Sequence, residues 1–416
     1  MKRDFLRFIF ALVCFGAILA GCGGSRTEAP KEEADAAVRV SPGGVNAAEP
    51  AIAADPTGNL FVAYVEHTDK SGDLYIQKLE PNGRVVGERV RVNPMPGEAK
   101  AWKGDPPAVA VGSDGTINVG WTRALADPNA RGNDLVLSVS KDGGRTFGAP
   151  VKINDDRDPA SHGMHSLAVD GRGHVFAAWL DERNIKFDQG RKKKAGNSMH
   201  YEAAEPNSEV YYSISRDGGK SFLPNKEITS EVCPCCKTAL LAAGDGTVYV
   251  SWRQVLKDDF RHIAVSHSND GGETFSPAVI VSDDKWQIHA CPVSGATMAA
   301  GPQSLDVLWY SGGTQGELGI YFTQSMDGGK TFGPRTLVDE NAQGGTPVLA
   351  MNDQKPTAVF AGADEMIYSI ETNDPDGEAT SIADGSLPSA VYLNGKLATA
   401  FVRHRNSKSE VWVVAG

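Results

Sequence analysis

The sequence predicts an all-β protein: a β-propeller of seven four-stranded blades whose N-terminal strand closes the last blade, with a six-bladed ring as the alternative. Three observations carry this expectation. An eight-residue phrase recurs four times, as Ser140-Lys-Asp142-Gly-Gly144-Arg-Thr146-Phe147, Ser215-Arg-Asp217-Gly-Gly219-Lys-Ser221-Phe222, Ser268-Asn-Asp270-Gly-Gly272-Glu-Thr274-Phe275 and Ser325-Met-Asp327-Gly-Gly329-Lys-Thr331-Phe332. Each copy stands between an alternating β-prone run (134–139, 209–214, 263–267, 319–324) and a shorter one such as 149–153 or 277–281, the pattern of a hairpin with its turn in the middle. The units around the copies are about 50 residues long, and one strand is left over at the start where one is missing at the end.

Residues 1–21 read as an export signal. Lys2, Arg3 and Arg7 precede an apolar run, 8–20, which is too short to span a bilayer as a helix. It ends in Leu19-Ala20-Gly21-Cys22, which resembles a bacterial lipobox and makes Cys22 the expected acylated first residue of the mature chain. Residues 22–37 are polar and rich in Glu, an expected disordered tether, and 38–416 form the propeller. The expected product is exported and lipid-anchored to the cell envelope, on the outer membrane in a Gram-negative host, because Gly23 supplies no Asp retention signal.

The first unit has strands over 50–55, 60–66, 73–80 and 84–93, with a degenerate turn at Pro81-Asn82-Gly83. Four more units follow over 107–154, 165–229, 238–282 and 294–339. A sixth, 346–383, lacks the phrase, and the last, 387–416, offers only three strands. The run 37–41 resembles the fourth strands at 88–93 and 277–282, so pairing it with the last unit removes both free sheet edges. Within the phrase, the Asp accepts hydrogen bonds from its own turn, the glycines tolerate positive φ, and the Phe packs back under the sheet. An insert over 186–207 explains why Asp142 and Asp217 stand 75 residues apart, against 53 and 57 for the next two intervals; a flap and a plain loop are both open.

The phrase resembles the Asp-box of sialidase-like β-propellers. In that family the box lies on the turn between the third and fourth strands, away from the ligand, so Asp142, Asp217, Asp270 and Asp327 are expected to be structural. The resemblance implies a propeller without implying a sialidase. Ligand chemistry is therefore expected at the other end, where the 2–3 turns and the links between blades meet.

Those links and turns carry the unusual residues. Four cysteines remain once Cys14 leaves with the signal and Cys22 is acylated: Cys233, Cys235, Cys236 and Cys291. One expectation is a disulfide from Cys291 to one of the other three, since adjacent Cys235 and Cys236 do not pair without strain. The other is a copper or zinc site, or a redox site, drawing on these cysteines with His162, His165 and His289, and with Met164 as a soft thioether. Sialidases hold a substrate carboxylate with three arginines, and Arg123, Arg183, Arg253 and Arg403 end second strands here, with Asp105, Asp181, Glu182 and Tyr310 near them. The family's Arg-Ile-Pro element is absent: the corresponding stretch reads Ala48-Glu49-Pro50-Ala51-Ile52. Arg123, Arg183 and Arg253 are thus also ligand-binding candidates, with Trp102 and Trp286 as aromatic walls, while bridging between blades is the plainer role for the arginines. Trp121, Trp179, Trp252 and Trp309 fall at equivalent positions and are expected to pack between blades.

Without residues 1–21 the chain has 38 basic and 51 acidic residues, a net −13, which argues against nucleic acid as a partner. The first functional expectation is a monomeric, non-enzymatic binding module for a glycan, peptide or protein, touching the membrane only through its lipid. An exo-acting glycoside hydrolase of sialidase type and a Cys/His metal or redox centre are the alternatives.

Overall fold

In a computed structural model the described residues are 37–69, 71–127, 129–185, 207–313, 318–352, 355–374 and 377–416. The export signal, Cys22, the tether up to 36 and the insert over 186–206 lie outside them. No helix among the described residues is long and apolar enough to cross a membrane.

The strands follow one another as antiparallel neighbours. After β1 (Val38–Arg39) come β2 (Asn46–Ala54), β3 (Leu60–His67), β4 (Gly72–Leu79) and β5 (Val85–Arg91), paired in that order. A short β6 (Ala99–Lys100) precedes β7 (Ala108–Val111), β8 (Ile117–Ala124), β9 (Asn133–Ser140) and β10 (Val151–Lys152). The third group is β11 (His162–Val169), β12 (Val175–Asp181), β13 (Ser208–Ser215) and β14 (Lys226–Val232). The fourth is β15 (Ala239–Ala242), β16 (Val248–Val255), β17 (Arg261–Ser268) and β18 (Val279–Ile280). Then come β19 (Ala296–Ala300), β20 (Leu305–Gly312), β21 (Leu318–Ser325) and β22 (Thr336–Asp339). The sixth group is β23 (Val348–Asn352), β24 (Lys355–Ala361), β25 (Met366–Glu371) and β26 (Thr380–Asp384). The last is β27 (Ser386–Leu393), β28 (Lys396–Arg405) and β29 (Lys408–Ala415). Its fourth strand is β1, with Val38 opposite Val413 and Arg39 opposite Trp412. Small bridges not legible in the sequence tie groups together: β6 pairs with both β4 and β8, and Val232 pairs with Gln254.

Packing explains why these runs are strands. The second strand of a group is buried on both faces, as in β12 (VFAAWLD, buried throughout), because neighbouring sheets cover both sides and leave no polar face. Apolar clusters lie between each group and the next. Val136 of the second group joins Leu74 and Ile76 of the first, and Trp252 of the fourth joins Val210 and Ile214 of the third. The series ends where it began, with Val411 and Val413 of the last group packed on Val62 and Tyr64 of the first. Trp121, Trp179, Trp252 and Trp309 are at most 1% exposed in these clusters, which is the packing role expected of them.

The first strands bend as they enter. Glu49, Met164, Val293 and Leu387 have φ of 51–53°, and the register slips between Ala48 and Ala51, Gly163 and Ser166, and Ser386 and Ser389. Such bulges re-aim side chains at a rim. They explain why β2 begins four residues before the predicted run at Pro50.

Candidate functional site

The four copies of the repeated phrase share one geometry. In the first, Ser140 Oγ donates to Asp142 Oδ1 (2.8 Å) and accepts the Gly144 N–H (2.9 Å). The Asp142 carboxylate also accepts the Thr146 hydroxyl (2.6 Å) and the N–H groups of Arg145 and Thr146 (each 3.0 Å). The Thr146 hydroxyl and then its N–H hold the Asp142 carboxyl down to about 2. Asp217, Asp270 and Asp327 are lowered in the same way. The phenylalanines pack against the apolar clusters. Both oxygens of each carboxylate accept hydrogen bonds inside the turn, which gives these turns a structural role.

At the loop end, a cavity of about 570 Å³ opens between the first three groups. Its wall includes His67, Lys100, Trp102, Asp105, His162 and Glu182. Trp102 is 42% exposed, and its backbone pairs with Asp105 in an isolated bridge. Gly104 is required beneath it: a Cβ there would lie 2.5 Å from the indole. Asp105 is buried and accepts from His165 Nδ1 (2.8 Å) and the His165 N–H (3.2 Å). A second space, of about 520 Å³, runs along the axis and takes residues from the entry to the first strand of all seven groups, among them Glu49, Lys103, Lys237 and Cys291. Glu49 and His67 link the two spaces through a 2.5 Å hydrogen bond, and that bond raises the His67 imidazolium above its ordinary range. Lys237 is pushed down to about 8 by its enclosure, with Asp105 opposing; nothing in the sequence marked it beyond its place after Cys236.

The arginines are not gathered. Arg123 pairs with Asp134 (3.2 Å). Arg183 pairs with Asp181 (2.8 Å) and Asp155 (2.7 Å), and lies over the Tyr211 ring. Arg403 pairs with Asp384 (2.6 Å) between Phe401 and Trp412. Arg253, expected as a ligand contact, is instead fully buried. Its Nε, Nη1 and Nη2 donate to the carbonyls of Ser294, Arg261 and Tyr310, which one loop and the strands β17 and β20 turn toward it. Trp286, expected at the mouth, is buried flat against Arg253 and edge-on to Tyr310. Asp181 is wholly buried beneath Trp179 Nε1 (2.8 Å), so it is a scaffold group and not an exposed acid. Glu182 lines both the first cavity and a smaller cleft of about 300 Å³ with Arg131, Arg157, Arg183 and Asp156.

The histidines do not join the cysteines. His162 lies between Asp156 (3.1 Å) and Asp181 (3.5 Å), His165 is held by Asp105, and His289 pairs with Asp259 (2.6 Å). Burial lowers His162, but the Asp156 bond and the Asp181 field outweigh it and raise the imidazolium. The cysteines do converge. Cys233 Sγ lies 3.4 Å from Cys236 Sγ and 3.9 Å from Cys235 Sγ, and Cys291 meets Cys235 from the next link. None of the four is in a disulfide, so the expected Cys291 bridge is not formed here. Arg261, which the sequence did not single out, donates from Nη1 to Cys233 Sγ (3.0 Å).

No family profile and no curated protein matches this sequence. Among solved structures, a protein of unknown function from Dyadobacter fermentans superposes with a TM-score of 0.53 at 14% identity, over 91% of this chain and 96% of that one. A Hadza microbial sialidase gives 0.50 at 16% identity, over 82% of this chain and 64% of its own, so this chain spans under two thirds of that sialidase. An α-L-arabinanase of Penicillium chrysogenum gives 0.47 at 14% identity. At these identities the first two likenesses bear on the fold alone: the chain has a propeller-like all-β fold.

Proposed function

We propose that this chain is a seven-bladed propeller that binds neutral carbohydrate in the cavity of its first three blades. The seven strand groups and the axial space shared by all of them support the blade count. The observation that carries the function is the exposed Trp102 ring set on a wall of polar groups, a flat apolar platform beside hydrogen-bonding partners, as a sugar face requires. Among the described residues no arginine lines that cavity, which favours a neutral ligand over an acidic one. The module is exported, lipid-anchored through Cys22 and monomeric, with the tether holding the mouth clear of the membrane.

Titration of the full-length chain against a panel of neutral oligosaccharides tests this. The expected result is a saturable ligand whose affinity falls at least tenfold in Trp102→Ala, with the circular dichroism unchanged. Binding to no neutral glycan, or binding indifferent to Trp102, overturns it. A second reading, hydrolysis of a sialoside, is favoured by the three arginines and three carboxylates of the smaller cleft. Turnover of a fluorogenic sialoside, abolished in Arg157→Ala, would select that reading instead.

A further inference from the structure

We infer that Cys233, Cys235, Cys236 and Cys291 form a four-thiolate site for one d¹⁰ metal ion, Zn²⁺ or Cu⁺. The inference is independent of the carbohydrate reading.

Two observations carry it. The first is the sulfur geometry. The buried thiols Cys233, Cys235 and Cys236 present sulfurs that all lie within 4.8 Å of one another, with two separations of 3.4 and 3.9 Å. Tetrahedral zinc bonded to sulfur at about 2.3 Å sets sulfur–sulfur edges of about 3.8 Å. Cys291, in the link into β19, interacts with Cys235 but lies outside the trio whose sulfurs are all within 4.8 Å of one another, so the fourth corner is supplied from a different segment as the ion draws it in. Cys291 is exposed on the axial space, which gives an ion a way in.

The second observation is unbalanced charge. Arg253 and Arg261 are 0% and 4% exposed. Among the described residues, Arg253 has no carboxylate partner, and Arg261 has only Asp259 at 3.9 Å. A guanidinium buried without an anion is strongly destabilising. A Zn²⁺ ion with four thiolates carries two negative charges, which these two arginines match. The surrounding N–H groups already point at sulfur: Arg261 Nη1 to Cys233 (3.0 Å) and the Ser294 backbone N–H to Cys236 (3.4 Å), the outer contacts that orient ligands in metal sites. Val293, two residues beyond Cys291, is held at φ 51°, a strained conformation for a β-branched residue that sets Ser294 N–H toward Cys236. On loading, each thiol gives its proton to solvent as its metal–sulfur bond forms, and no redox change is needed.

The test uses reduced full-length protein. One arm adds Zn²⁺ or Co²⁺, and the other adds Cu⁺ under anaerobic conditions against a chromogenic chelator. The expected result is one equivalent of one ion, with thiolate-to-cobalt charge-transfer bands in the cobalt form. All four thiols should then resist alkylation until a chelator is added. The preferred ion is the one retained when both compete. Cys291→Ser, which changes an exposed residue, should weaken binding at least a hundredfold while leaving the circular dichroism unchanged, and Cys235→Ser should abolish it. Less than a tenth of an equivalent of either ion overturns the inference. So does a mass of the unreduced chain showing two disulfides among these cysteines that survives incubation with metal and reductant. A third overturning result is metal retained in full by both serine variants.

Discussion

Gly271 and Gly272 sit side by side in the third Asp-box and separate two costs. Both have positive φ, 72° and 85°. A Cβ on Gly271 would meet nothing within 4 Å, whereas one on Gly272 would lie 2.6 Å from Ile214 Cδ1 and 3.1 Å from Phe176 Cε1 of the preceding sheet group. Left-handed backbone costs a residue bearing Cβ about 1–2 kcal/mol, and Gly→Ala returns about 0.4–1 kcal/mol by restricting the unfolded chain. Gly271→Ala should therefore lose about 0–1.6 kcal/mol. Gly272→Ala should lose a further ~1–3 kcal/mol, because Ile214 and Phe176 must shift in a packed interior. Equilibrium urea unfolding followed by tryptophan fluorescence reads both, compared at a common slope. Equal losses would refute the claim that the second glycine of each box is the point where a turn docks on the sheet before it.

Two pH responses follow from the site. His162 is raised above its ordinary value of 6.5, so the folded state holds a proton that the unfolded chain releases first. Its contribution is complete below about pH 6.5 and is lost as the pH rises through the folded pKa. His162→Gln should flatten the fall in unfolding free energy as the pH rises above about 6.5, and an unchanged slope would count against the Asp156–His162–Asp181 arrangement. Lys237 runs the other way. Its folded pKa of about 8 lies below the ordinary 10.5, so the unfolded chain binds more protons between these values and stability rises with pH there. Lys237→Met should stabilise the protein at neutral pH by about 1–3 kcal/mol, less than the full shift implies because the axial space admits water, and should remove that rise; a loss of stability in the urea midpoint would show that Lys237 has an anionic partner.

How the Asp-box turns satisfy themselves also explains why they were legible. Ser140, Asp142, Gly144 and Thr146 bond to one another within seven residues, so a short window holds the whole motif. The cysteine site is read half from local spacing and half from the fold. Cys233, Cys235 and Cys236 come together because they are neighbours in one loop, but Cys291 and Arg261 arrive from other strands. Arg253 shows the limit most sharply. Its position at the end of β16 suggested a mouth residue, yet the carbonyls of Ser294, Arg261 and Tyr310 close over it.

The all-β class, the repeated hairpin unit and its self-capped turns are legible from the residues alone, because period-two burial and turn hydrogen bonds act between residues close in the chain. Only the tertiary structure decided which polar groups are spent on the scaffold and which face an open space. Arg183 and Asp181 neutralise each other, His165 serves Asp105, and Trp286 is buried while Trp102 stays exposed. Those outcomes depend on which loop of one sheet group lies over the next, and on polar groups that meet across more than fifty residues of chain, as His165 and Asp105 do. Partners that far apart leave no local pattern to read.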